Sequence, residues 1–151
     1  MHSLQWSVFS DQSLKLDNQF NLKYYKNINM RFQDLLAYQK SFSLAMKIFE
    51  ITKSFPKEEM YSLTDQIRRS SRSVPANIAE SYRKRVYPKN FHSKLTDCDA
   101  ENSETQVWLE FAFNCNYLNA GKYNELLFES DEVGKLINYM ILNHQKFGVS
   151  I

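Results

Sequence analysis

From Phe91 to Asn116 one spacing runs without a break. Phe91, Leu95, Cys98, Asn102, Thr105, Leu109, Ala112 and Asn116 recur at alternating intervals of four and three. That repeat draws a single stripe along one face of an α-helix about seven turns long, and a strand, whose sides alternate every second residue, cannot use it. A second stripe, Trp108, Phe111, Cys115 and Leu118, runs beside the first and gives this helix apolar surface on two sides. The 151 residues hold only 3 Gly and 3 Pro, few for a sheet protein, which consumes them in its turns. This argues against an all-β fold and for long helices with few connections.

The rest of the chain follows suit. Leu35, Tyr38, Phe42, Ala45, Phe49 and Thr52 form an earlier heptad stripe, with Asp34 placed to favour the positive end of that helix. Pro56 closes it and suits the first turn of a second helix, expected over 57–85 with Glu58 and Glu59 at its start. Leu63, Ile67, Ser71, Val74, Ile78 and Tyr82 are its inward residues. Pro75, in its middle, removes the bond to the Ser71 carbonyl and predicts a kink, and Ser70, Ser71, Ser73 and Ala76 leave room for a neighbour to approach. Asn119-Ala120-Gly121 is read as the break after the long helix. A fourth helix is expected over 123–147, carrying Leu126, Val133, Ile137, Met140, His144 and Phe147 inward. Four such helices with short connections run antiparallel to their neighbours. The expected fold is therefore all-α, an antiparallel up-down-up-down four-helix bundle spanning 31–148. Residues 1–30 are polar and lack a sustained period. They are expected to be a flexible N-terminal extension, either an arm or a stretch upstream of a start at Met30.

The residues offer little catalytic chemistry. A di-iron bundle needs inward Glu-x-x-His pairs, and the chain has none; His2, His92 and His144 lie in separate segments. No metal and no cofactor is expected. The glycines, Gly121, Gly134 and Gly148, build no phosphate loop. Cys98 and Cys115 sit on the two apolar stripes and read as packing residues, not nucleophiles or a disulfide pair. A reducing, cytoplasmic setting is expected, with no membrane partner, because no apolar run approaches the roughly 20 residues of a spanning helix. Arg85 and His92 resemble the catalytic pair of HEPN-type ribonucleases, although Pro88 between them is not the usual context.

Charge is divided along the chain. Residues 57–95 carry nine Lys or Arg against four acids, and residues 96–151 carry three against nine. Arg68, Arg69 and Arg72 lie within about one and a half turns, with Arg68 and Arg72 on a shared face; Arg83, Lys84, Arg85 and Lys89 follow at the far end. Such a row neutralises phosphates without reading sequence and points to RNA or DNA as partner. Equally open is pairing with Asp97, Asp99 and Glu101 on a neighbouring helix or subunit, which leaves a protein-interaction scaffold.

Four segments carry a family resemblance: Phe32-Gln33-Asp34-Leu35, Phe55 to Leu63, Gln66 to Ser70, and above all Ser73-Val74-Pro75-Ala76-Asn77-Ile78-Ala79-Glu80. Over about 31–145 the chain resembles the four-helix-bundle proteins encoded in intervening sequences of bacterial 23S ribosomal RNA genes. That superfamily also includes the accessory variability protein of diversity-generating retroelements. Where the family pattern usually has Gly after the Glu, Ser81 stands here. The resemblance implies a homopentameric ring, and the retroelement relative uses a basic surface to bind nucleic acid and a reverse transcriptase. No settled activity comes with the intervening-sequence proteins. Asn77 and Glu80, three apart beyond Pro75, are expected to hold the kinked backbone or a neighbouring helix by hydrogen bonds. The functional expectation is a non-enzymatic, oligomeric bundle that binds structured nucleic acid through its second helix.

Overall fold

The most regular stripe becomes the longest helix. In a computed structural model of the protein, which describes residues 30–149, four helices follow one another. They are α1 (Leu36–Thr52), α2 (Leu63–Arg83), α3 (Pro88–Asn114) and α4 (Ala120–Leu142). Short 3-10 turns stand at Phe32–Asp34, Lys57–Glu59 and His144–Phe147. The expected N-terminal extension lies outside the described residues. α1 packs on α2 and α4, and α3 packs on α2 and α4, with adjacent helices antiparallel. This is the four-helix bundle the spacing predicts. Its core is a column of fully buried side chains, among them Ile48, Ile67, Ile78, Phe91, Leu95, Leu109, Leu126 and Ile137. Each such side chain stabilises the fold by about 1.5–3 kcal/mol relative to exposure.

All six inward residues of α2 are buried, as are those of α3 from Phe91 to Ala112. Asn116 is not. α3 ends at Asn114, and Asn116 takes a left-handed conformation (φ 62°). Its N–H donates to the Phe113 carbonyl and that of Tyr117 to the Ala112 carbonyl, so the last turn closes by a Schellman motif. Asn119, expected to break the helix, instead opens the next one: its side chain accepts from the Lys122 N–H at 2.7 Å. α4 thus starts at Ala120, ahead of the expected Tyr123, and stops at Leu142 before a 3-10 turn.

Two further expectations need correction. α2 begins at Leu63, not near Lys57. Pro56 opens only a 3-10 turn, Ser62 is not helical (ψ −105°), and Glu59 caps the true start by accepting from the Ser62 hydroxyl and the Leu63 N–H. In α1 the buried face is Ala37, Ser41, Leu44, Ala45, Ile48 and Thr52, so the stripe is rotated from the one expected. Ser41 and Thr52 are buried because each hydroxyl donates to a carbonyl three residues back. Phe42 stays half-exposed and stacks on Tyr38.

α2 runs as one helix through the buried Pro75. The small residues near it admit α3: the Thr105 hydroxyl meets Ser70 Oγ at 2.9 Å, and Cys98 Sγ donates to the Val74 carbonyl at 3.3 Å. Burial pushes the Cys98 thiol well up from its ordinary value, which leaves it a packing residue.

Candidate nucleic-acid interface

The seven cations expected to contact nucleic acid fall into two groups. Arg72 and Arg83 are separated by roughly 16 Å of helix at 1.5 Å per residue. In the first group, Arg68 and Arg72 lean over α1. Their guanidinium carbons lie 5.0 and 5.3 Å from the centre of the Phe49 ring, and Lys53 Nζ lies 4.8 Å from it. Cation–π attraction of this kind holds the three charges around one aromatic ring. Arg68 Nε also donates to Thr52 Oγ1 at 2.8 Å. Arg69 points to the other side, where its charge opposes the burial and the neighbouring Glu104 that raise the Glu101 carboxyl.

The second group sits at the α2–α3 turn. Lys84 is bound to Glu80 at 2.9 Å. Arg85 lies over the Tyr82 ring at 4.1 Å and donates to the Tyr82 carbonyl at 2.8 Å. Arg83 and Lys89 are exposed. Of the seven, only Lys84 has a carboxylate within ion-pair distance among the described residues. Several other cations are neutralised: Lys40, Lys47, Lys53, Lys122 and Lys135 each pair with a glutamate, whereas Lys57 and Lys146 have no carboxylate at that distance among the described residues.

Glu80 spans two helices, reaching Lys84 on its own side and Lys94 of α3 at 3.2 Å. Hydrogen bonds from Lys84 first, then Lys94, hold its carboxyl below the ordinary value. Asn77 is half-buried, and its side chain makes no hydrogen bond among the described residues. Arg85 and His92 are joined by no bond among them either. His92 instead lines a groove with His144, a pairing the sequence reading missed because the two imidazoles are far apart in the chain. Antiparallel order could have found it, since the start of the third helix and the end of the fourth share one end of the bundle.

Apolar side chains are exposed on several helices, among them Phe128 and Leu142 of α4. On α3, Val107 and Phe111 are exposed, with the half-buried Trp108 in ring contact with Phe111. Between α1 and α2, Phe32, Phe42, Met46 and Ala79 line a groove of about 390 Å³. No cluster of His, Cys, Asp or Glu able to hold a metal ion occurs among the described residues, and no helix there is long and apolar enough to cross a membrane.

These features define a class, the four-helix bundle with one helix of unneutralised cations. The model of the 23S rRNA-intervening sequence protein family matches residues 33–139, and the chain belongs to that family. It is also similar to a crystal structure of a protein of unknown function from the S23 ribosomal protein family of Bacteroides thetaiotaomicron. The two are 28% identical with a TM-score of 0.67, over 74% of this chain and 99% of that one. No curated protein matches the chain.

Proposed function

We propose that this is a non-enzymatic, self-assembling bundle that binds structured RNA or DNA through α2 and the α2–α3 turn. The observation that carries the reading is the contrast in neutralisation. The lysines of α1 and α4 are paired with glutamates, whereas Arg68, Arg69, Arg72, Arg83, Arg85 and Lys89 have no carboxylate at ion-pair distance among the described residues. Cations left in this state attract a polyanion and release its counterions on binding. Assembly is supported by the two apolar surfaces on the outer sides of α3 and α1, which face different ways and suit a head-to-tail contact. The ring of five implied by the family resemblance is one way such a contact closes.

The test is fluorescence anisotropy with labelled hairpin RNA and duplex DNA across a salt series, beside a protein with Arg68, Arg69 and Arg72 changed to Gln. Micromolar binding should fall steeply with salt, and the triple variant should lose affinity and show a shallower slope, by about one unit per phosphate contact removed. Absence of binding at low salt would reject the reading and move the arginines to a contact with acidic protein surface.

A further inference from the structure

The end of the bundle where α2 stops, α3 starts and α4 finishes carries more than charge. A groove of about 610 Å³ opens there between the first turns of α3 and the residues after α4. Pro88, Phe91 and Val149 make apolar walls, and the Ser93 and Thr96 hydroxyls and the two imidazoles of His92 and His144 supply the polar groups. Volume and lining are those of a small-molecule site, mostly apolar with a few polar groups converging on it.

His144 borders the groove, its Nε2 shielded from solvent and without a hydrogen-bond partner among the described residues. His92 differs: it lines the groove and is exposed. Lys89 lines the same groove, and Arg85 lies against Gly148, next to the wall residue Val149. An apolar lining, an exposed imidazole, two hydroxyls and nearby cations therefore occur together.

We propose that this groove takes one unpaired nucleotide of a bound nucleic acid. This rests on the nucleic-acid reading above and sharpens it. The base enters beside Pro88, over the buried Phe91 and Val149, and stacks on His92. Its hydrogen-bonding edge meets the Ser93 and Thr96 hydroxyls. Its phosphate stays outside, near Lys89 and Arg85. Unpaired bases are the part of RNA that proteins hold by stacking on rings and by hydrogen bonds to exposed edges. Arg68, Arg69 and Arg72 would then supply affinity for any phosphate backbone, and the groove a preference for unpaired sites.

Two hairpin RNAs of the same length, one fully paired and one with a single bulged nucleotide, separate these contributions. The expectation is that the bulged hairpin binds the intact protein about tenfold tighter, the scale of one stacked base. His92→Ala should abolish that advantage and leave affinity for the paired hairpin unchanged; Ser93→Ala, a second exposed position, should reduce it. Equal affinity for the two hairpins would overturn the groove proposal and leave the basic-helix reading standing. Failure of both hairpins to bind at low salt would overturn both. An advantage that persists in His92→Ala would place the unpaired base elsewhere and also reject the groove.

Discussion

Asn102 occupies the middle of an otherwise apolar heptad stripe, 3% exposed, where a leucine would give more burial. Both atoms of its amide are hydrogen-bonded. Nδ2 donates to the Ser130 carbonyl at 3.0 Å, and Oδ1 accepts from the Ser130 hydroxyl at 3.0 Å; Ser130 Oγ in turn accepts from Gln106 Nε2. Gly134 leaves the space this requires, since a Cβ there would stand 3.3 Å from Nδ2. A buried polar side chain satisfied by one partner helix fixes the register of α3 against α4, the role such residues play in helical assemblies. Asn102→Ala should therefore lower stability by about 1–3 kcal/mol, the cost of stranding the Ser130 groups plus the cavity. Urea unfolding followed by circular dichroism measures it; a loss below the error of the extrapolation would mean that water replaces the amide without penalty.

At the scale of elements, what could be read in advance was what repeats. α3 shows in the sequence because its stripe holds for about seven turns, and the inward face of α2 shows because Leu63, Ile67, Val74 and Ile78 leave no rival face. α1 did not show as cleanly. Its true face relies on Ala37 and Ser41, and the larger Tyr38 and Phe42 drew the stripe one position away. Helix ends were harder still, because they depend on bonds to single atoms: Glu59 reaching Leu63, Asn116 going left-handed, Asn119 capping Lys122. The basic residues themselves were visible, but not the ring of Phe49 beneath two of them. Glu80 is the element-scale contact with a sign to test. Its carboxyl is held below the ordinary 4.5 in the folded chain, so its pairs with Lys84 and Lys94 contribute above that value and are lost as pH falls through the lower, folded one. Glu80→Gln should lower the melting temperature slightly at pH 7, and by less at pH 3. A difference that stays constant between those values would assign the effect to packing instead of charge.

For the whole molecule, the two apolar surfaces matter because they differ. Phe111 on α3 is 54% exposed and Met46 on α1 45%, and α1 and α3 are a diagonal pair of the bundle. A contact that puts the α3 surface of one chain into the α1–α2 groove of the next is heterologous, so every chain in a closed ring uses both surfaces. Light scattering on the intact protein should then give a mass several times the 17.9 kDa chain, five times if the family resemblance carries over. Phe111→Glu and Met46→Glu, each placing a carboxylate in a contact that must dehydrate, should both give single chains. Mixing the two variants is the decisive step. Each retains the surface the other lacks, so one good contact can form and the ring cannot close: a head-to-tail contact predicts a pair, one chain of each kind. A contact built from the same surface on both chains predicts no hetero-pair at all, because whichever surface that is, one variant always presents it damaged. Variants that stay apart on mixing would reject the head-to-tail arrangement and free both apolar surfaces for another partner.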